Sequence, residues 1–204
     1  MTKTISRLYN NYGDARAAVR QLEAEGVPHN DISILASNAD NFYNDGKDTY
    51  PDRDLDGKDD RAEGARTGAA IGATAGGAAG LLAGLGLLAI PGVGPVVAAG
   101  WLVATLTGVA AGGATGGAIG ALTQAGVSNE DAEVYAEGLR RGGAVVTARI
   151  PDNDAARYQS SMDRSAVRIA DRADAYRKTG WQRFDPKAAP YTADQVKKER
   201  SLYK

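Results

Sequence analysis

The feature that most constrains this chain is a stretch without charged side chains, from Thr67 to Asn129, in and around which glycines recur every four residues. Positions four apart lie on one face of a helix, so each row of glycines predicts a helix face without side chains. Glycine costs about 1 kcal/mol relative to alanine inside a helix, and close backbone packing is the known compensation. We therefore expect close helix packing at the eleven glycines Gly64, Gly68, Gly72, Gly76, Gly80, Gly84, Gly100, Gly108, Gly112, Gly116 and Gly120.

The two rows are separated by Ile90-Pro91-Gly92-Val93-Gly94-Pro95, whose prolines favour the end of one helix and the start of another. We therefore predict an antiparallel Gly/Ala-rich helical hairpin, a glycine zipper, over residues 64–126. Each arm has about the 20 uncharged residues that a bilayer span needs, although its Gly and Ala content makes insertion marginal. Three environments stay open for it: a membrane, a homo-oligomer of hairpins, or the core of its own chain.

Composition argues against several classes of site. The 204 residues have a net charge of −1, no cysteine and one histidine. Near-neutral charge with dispersed basic residues argues against nucleic-acid binding, and the absence of thiols excludes disulfides and cysteine nucleophiles. His29 lies in a Pro-His-Asn turn and is expected to be a turn residue. Since no nucleophile–base pair or phosphate-binding loop is evident, we predict that the protein is not an enzyme.

The segments that flank the uncharged stretch predict an α+β domain. Strands are expected over 4–9, 32–36 and 144–150, with helices opened by Gly13-Asp14, Ser128 and Asp152 and a short last strand at Val167–Ile169. Antiparallel pairing of 32–36 with 144–150 would give a ferredoxin-like split βαβ sheet that carries the hairpin as an insertion. The predicted organisation is 1–37 and 127–170 (sheet domain), 38–63 (acidic loop), 64–126 (hairpin) and 171–204 (tail with a short helix opened by Thr192).

The acidic loop contains a complete EF-hand-like pattern, D-x-D-x-D-G-x5-E, over residues 52–63. Calcium prefers oxygen ligands, and Gly57 would permit the sharp bend that such loops need. Asp59 stands where an apolar residue is usual, and Pro51 argues against an entering helix. A calcium site and a solvated acidic linker therefore both stay open. The predicted metal ligands are Asp52, Asp54, Asp56, Lys58 (through its carbonyl), Asp60 and Glu63.

Two segments carry a resemblance to a known family. The run Leu88–Pro95 with its flanking glycine rows, and the run Glu137–Thr147 with Arg140-Arg141-Gly142-Gly143, resemble the bacterial general stress protein family, the heat-induced YflT or general stress protein 17M-like domain. The resemblance covers roughly residues 3–170 and implies a bacterial stress-induced protein, with no catalytic residues to transfer. Apart from the resemblance, the two arginines suit a helix C-terminus, and phosphate binding is an alternative role for them.

Together these observations predict a non-enzymatic bacterial stress-response protein that self-assembles through its glycine-zipper hairpin, at or in a membrane. The alternatives are a calcium-binding module whose 52–63 loop orders the hairpin, and a soluble homo-oligomeric structural protein. The expected partners are further copies of the chain and membrane lipid. The N-terminus has no apolar signal region. We expect a cytoplasmic location, with or without association of the hairpin with the inner membrane, and with the sheet domain in the cytoplasm because both ends of the hairpin return to the same side.

Overall fold

The computed structural model describes residues 2–43, 86–110 and 117–203, with side chains throughout these ranges except at 107–110. The strands in these ranges are β1 (Thr2–Tyr9), β2 (Ile32–Ser37), β3 (Gly86–Ile90), β4 (Gly94–Gly100) and β5 (Ala144–Pro151). The helices are α1 (Tyr12–Ala24), α2 (Leu102–Ala110), α3 (Gly117–Gln124), α4 (Asn129–Arg140), α5 (Ala155–Asp163), α6 (Ile169–Lys178) and α7 (Ala193–Ser201). Short 3-10 turns, His29–Asp31 and Asp152–Asp154, precede β2 and α5.

The five strands form one sheet in the order β1-β5-β2-β4-β3, and every neighbouring pair is antiparallel. The predicted α+β class is therefore confirmed. So is the predicted antiparallel pairing of the second strand with the strand over 144–150, in which Ile34 lies opposite Val146. Because β1 and β2 are both antiparallel to β5, they run parallel to each other on either side of it.

The sheet separates two apolar cores, and alternate residues of each strand enter one or the other. One core, on the side of α1 and α5, contains Val19, Val146 and Met162. The opposite core lies under α2, α3 and α4 and contains Leu35, Leu102 and Leu139. Since both faces are covered by helices, the central strands are buried on both sides, and all six residues of β2 are buried.

Local hydrogen bonding explains where three helices begin. The side chain of Asn11 accepts a hydrogen bond from the backbone N–H of Asp14, and Ser128 does the same for Asp131. Thr192 and Gln195 form a reciprocal capping box at the start of α7. Each cap satisfies backbone N–H groups that have no partner within the helix. The helices predicted to open at Ser128 and Thr192 are therefore present as expected.

The predicted helical turn at the centre of the uncharged stretch is wrong for residues 86–100, which form the β-hairpin β3–β4. The N–H of Val93 bonds to the carbonyl of Ile90 at 3.0 Å, and Gly92 between them has a φ of 74°. Proline followed by a glycine of positive φ is the preferred centre of a type II turn. The residues of β4 then alternate into the two cores, with Val96 on one side and Val97 on the other.

Among the described residues after β4, Leu102–Ala110 and Gly117–Gln124 are helical, and these two helices cover one face of the sheet. Leu102 and Leu106 of α2 and Leu122 of α3 are buried in the same core as Leu139 of α4. Of the three environments left open above, the chain's own core is the one that these side chains occupy.

The C-terminal region contains two helices, of which only α7 matches the predicted short helix. The predicted last strand at Val167–Ile169 is reduced to a single antiparallel bridge between Leu8 and Val167, and Ile169 instead begins α6. Tyr176 of α6 is 1% exposed and Val196 of α7 is fully buried, so both helices dock on the body of the protein.

Candidate functional site: an arginine cluster under the C-terminal segment

Most of the predicted site residues lie outside the described residues. These are the six residues of the predicted calcium loop, Asp52, Asp54, Asp56, Lys58, Asp60 and Glu63, and eight glycines, Gly64, Gly68, Gly72, Gly76, Gly80, Gly84, Gly112 and Gly116. Their predicted roles stay predictions.

The three remaining glycines of the two rows belong to different elements. Gly100 ends β4, Gly108 is in α2 and Gly120 is in α3. A Cβ at Gly100 would lie 2.2 Å from the carbonyl oxygen of Ile32, so this glycine does permit close backbone approach. The approach joins two strands of the same sheet, and not two helices as predicted.

The residues that the structure brings together lie instead around the Arg140-Arg141-Gly142-Gly143 run. Glu137 of α4 is fully buried, and its two carboxylate oxygens accept hydrogen bonds from both arginines. Arg140 donates to it at 2.9 and 2.6 Å, and the Arg141 Nε donates at 2.6 Å. Charge-assisted bonds of this length are the strong class of protein hydrogen bonds. The carboxylate of Glu137 thereby fixes the end of α4 before β5 begins.

Arg141 also contacts the C-terminal segment. Its second guanidinium nitrogen lies 3.2 Å from a carboxylate oxygen of Glu199 in α7, and its guanidinium carbon lies 4.2 Å from the centre of the Tyr176 ring. Arg140 lies 4.9 Å from the centre of the Tyr191 ring. Burial opposes the charge of Arg141, but the hydrogen bond to Glu137 and its negative charge outweigh burial and raise the pKa of Arg141.

The next residue of the run, Gly142, contacts helix α7. A Cβ at Gly142 would lie 2.3 Å from the Cγ1 of Val196, so a side chain here would displace the helix. The carbonyl oxygen of Gly142 accepts two hydrogen bonds from Arg200, at 3.0 and 2.8 Å. Arg200 also pairs with Asp40, shortly after β2. One arginine thus connects α7 to the start of β5 and to the chain after β2.

The residues between α6 and α7 cross the turn of the β3–β4 hairpin. A Cβ at Gly92 would lie 2.7 Å from the carbonyl oxygen of Asp185, and a Cβ at Gly94 would lie 2.7 Å from the Cβ of Pro190. Phe184 is 8% exposed and packs in the core beneath α4. Residues 184–190 therefore cover the tip of the hairpin before α7 reaches Gly142.

A second arginine group lies where α6 meets β1. Arg172 is 8% exposed, donates to the side-chain oxygen of Asn10, and has its guanidinium carbon 3.5 Å from the centre of the Tyr203 ring. Beside it is an open depression of about 360 Å³, on whose rim Arg168 and Asp171 form an ion pair at 3.4 Å. Burial is the main cause of a raised pKa at Tyr176 on the same helix.

The charged groups of this cluster bind one another and hold the C-terminal segment on the body of the protein. Glu137, Glu199 and Asp40 supply carboxylates from the same chain to Arg140, Arg141 and Arg200. These intrachain bonds offer an alternative to phosphate for the Arg-Arg pair. Within the described ranges, no group of three or more His, Asp or Glu residues is placed to hold a metal ion. His29 lies in a 3-10 turn, as its sequence context predicted.

No helix within residues 2–43, 86–110 and 117–203 is long and apolar enough to cross a membrane. Comparison of the whole chain with protein-family models, with curated proteins and with solved structures finds no match.

Sequence reasoning missed most of this cluster. From sequence the arginine run stands out, but Glu137 enters only through the resemblance, and no pattern marks Asp40, Arg172, Glu199 or Arg200. Part of it was detectable, because Ile169, Ala173 and Tyr176 follow the i, i+4, i+7 spacing of an amphipathic helix and predict α6. The pairs of Glu137 with Arg140 and Arg141 follow the i,i+3 and i,i+4 spacing of a helix and were also detectable. The pairs Arg141–Glu199 and Arg200–Asp40 join residues that are distant in the chain, and no local pattern predicts them.

Proposed function

We propose that this is a non-enzymatic bacterial stress-response protein that self-assembles through the Gly/Ala-rich region 64–126, in the cytoplasm or on the inner membrane. The observation that carries the proposal is the position of β3. This strand follows the first glycine row in the sequence, contains no charged residue, and lies at the edge of the sheet that the described residues form. Leu87 in it is 38% exposed, which is uncommon among the large apolar residues of the described ranges.

The buried polar groups support a role other than catalysis. A catalytic acid, base or nucleophile must be able to reach a substrate, with convergent groups around it. The most buried carboxylate, Glu137, is bonded on both oxygens to arginines of its own helix end. The arginines are in turn engaged by aromatic rings and by α7. Groups held in this way stabilise a fold and are not free for proton transfer.

We further propose that the core of the sheet is a ferredoxin-like unit. In support, β5 lies between β1 and β2, α1 joins those two strands, and α5 follows β5 on the same side of the sheet as α1. The bridge of Val167 to Leu8 occupies the place of the fourth strand of a split βαβ unit. The β3–β4 hairpin would then be an addition beyond β2. Such units serve many functions, so the unit itself argues for none.

Size measurement of the full, untagged protein tests self-assembly. Sedimentation velocity over a range of concentrations should give a particle of several subunits, and a monomer at all concentrations would refute the proposal. Replacing Gly72, Gly76, Gly112 and Gly116 with Leu tests the predicted helix packing, because leucine would block backbone approach; an unchanged particle would show that the glycine rows are not the interface.

Fractionation of expressing bacteria separates the two locations. Recovery in a membrane fraction that resists carbonate washing would support a lipid-associated assembly. Recovery as a soluble multi-subunit particle would support the cytoplasmic one and contradict membrane association.

A further inference from the structure

The backbone N–H and C=O groups of the edge strand β3 alternate between its hairpin partner β4 and the outer side of the sheet. The N–H of Asn38 donates to the carbonyl oxygen of Pro95 at 2.8 Å, so this carbonyl, the one polar backbone group of a proline, points towards β2. Successive residues of an extended strand direct their N–H and C=O groups to opposite sides, so the N–H and C=O of Val96 point towards β3. Val96 lies opposite Leu88, which therefore uses its N–H and C=O within the hairpin. The corresponding groups of Leu87 and Ala89 point away from the sheet.

The two edges of the sheet differ in how they are protected. Natural edge strands are usually shielded by charged side chains, by proline, or by covering chain. The edge strand β1 carries Lys3 and Arg7, and the N–H of Val167 closes part of its outer edge by donating to the carbonyl oxygen of Leu8 at 2.7 Å. In contrast, β3 reads Gly-Leu-Leu-Ala-Ile, and no strand of the described ranges pairs with its outer side.

We propose that β3 pairs antiparallel with the β3 of a second copy, about a two-fold axis at Leu88. This inference rests on the self-assembly proposed above and specifies its interface. About this axis, Leu87 of one copy lies opposite Ala89 of the other, and the outward N–H and C=O groups of the two residues face each other. The arrangement gives two hydrogen-bonded residue pairs, each exchanging two N–H···O bonds. The two five-stranded sheets become one continuous sheet.

A second copy suits this edge for two reasons. A two-fold axis places identical patches against each other, so the patch must be self-complementary. The backbone of an antiparallel edge meets that requirement, because each outward residue offers one donor and one acceptor. The side chains also permit it, since β3 has no charge that would oppose its own copy, and a large residue, Leu87, meets a small one, Ala89.

Two variants of β3 and one control test the pairing. Leu87→Lys places a charge on each side of the two-fold axis. Ala89→Pro removes an outward N–H without removing a bond of the hairpin, a position at which edge strands tolerate proline. Leu202→Lys makes the same chemical change at the other large apolar residue that is exposed in the described part of the chain, which is 63% exposed at the end of α7. Sedimentation equilibrium measures the number of subunits in the particle. Because each β3 pairing joins two copies, the two β3 variants should have half as many subunits as the wild type, and Leu202→Lys should have the same number as the wild type.

A single cysteine gives a second readout that does not depend on weakening the protein. The chain has no cysteine, so Leu88→Cys introduces a single one at the two-fold axis. Opposite residues of a non-hydrogen-bonded pair have Cα atoms about 4.5 Å apart, within reach of a disulfide. Mild oxidation should therefore link Leu88→Cys chains into covalent dimers, whereas Leu202→Cys chains should stay largely unlinked.

The outcomes separate this inference from the proposed function. A wild type that is monomeric at every concentration overturns both. A wild type that assembles, with β3 variants of unchanged size and no Leu88→Cys dimer, overturns only the β3 pairing. A Leu202→Lys variant that dissociates equally would also overturn it, because general surface hydrophobicity would then explain assembly.

Discussion

Glu137→Gln is the change that tests the arginine cluster most directly. The side chain of Glu137 is fully buried and bonds to Arg140 and Arg141, whose side chains are only 16% and 7% exposed. The amide keeps the shape of the carboxylate but removes its charge and replaces one acceptor with a donor. Two guanidinium groups then lose the anion between them, and breaking a buried ion pair in this way costs about 3–5 kcal/mol.

The expected loss of folding free energy lies at the lower end of that range. Arg141 keeps Glu199 at 3.2 Å and the face of Tyr176 at 4.2 Å, so part of its charge stays compensated. We therefore expect a loss of about 3 kcal/mol. For a protein of this size, 1 kcal/mol corresponds to roughly 2–4 °C, so Tm should fall by about 6–12 °C. Thermal unfolding followed by circular dichroism measures this shift.

The chain contains a matched control for this change. Asp174 pairs with Arg177 at the same i,i+3 spacing on α6, but the two side chains are 66% and 60% exposed. Exposed helix pairs contribute about 0.3–0.5 kcal/mol, so Asp174→Asn should lower Tm by less than about 2 °C. Limited proteolysis adds a local readout, because Glu137→Gln should accelerate cleavage within residues 180–192 and Asp174→Asn should not. Equal Tm shifts for the two variants would refute the argument that burial makes the Glu137 cluster important.

Four further predictions concern individual residues. Gly142→Ala places a Cβ against Val196 in a backbone with φ of 98°, so we expect a loss of about 2–4 kcal/mol and release of α7, measured by Tm and proteolysis; unchanged proteolysis of residues 180–203 would contradict it. Hydrogen bonds from Ser161 and Gln21 overcome burial and lower the pKa of Glu25, so its stabilisation is complete above the unfolded value of about 4.3 and is lost as pH falls through the folded pKa. Glu25→Gln should therefore flatten the acid limb of the Tm–pH curve. Burial instead raises the pKa of Glu23, which means that its charged form is less favourable in the folded than in the unfolded protein. Glu23→Gln removes that charge and should therefore raise Tm at pH 7, and a lowered Tm there would contradict this reasoning. If the 52–63 loop binds calcium, millimolar calcium should raise Tm and Asp56→Asn should abolish the rise; no shift in the wild type would reject the calcium site.

Elements set by local chemistry were predictable from the sequence. The side chains of Ser128 and Thr192 each accept a hydrogen bond from the backbone N–H three residues ahead, so the helix starts that they cap can be read directly. The strand at 144–150 was recognisable from its β-branched residues. These predictions succeeded because the interactions that determine each element lie within a few residues of one another.

The β3–β4 hairpin was missed because its composition is compatible with two structures. A strand that is covered on both faces shows no alternation of polar and apolar residues, and Val96, Val97, Ala98 and Ala99 are all buried. The same run of small and apolar residues matches a buried helix. The distinguishing signal was Pro91-Gly92, which favours a type II turn, together with the adjacent β-branched residues. The arginine cluster was harder still, because Asp40 and Arg200 lie 160 residues apart.

The structure also changes the physical basis of the argument for self-assembly. The sequence alone predicts that an uncharged hairpin needs lipid or another copy to cover its side chains. For β4, α2 and α3 that need is met within the chain, since Val96, Leu102 and Leu122 are buried in its own core. What β3 leaves exposed is chiefly a row of backbone donors and acceptors with little side-chain protection. The case for a second copy therefore now depends on hydrogen bonding along a sheet edge more than on the hydrophobicity of glycine-rich helices.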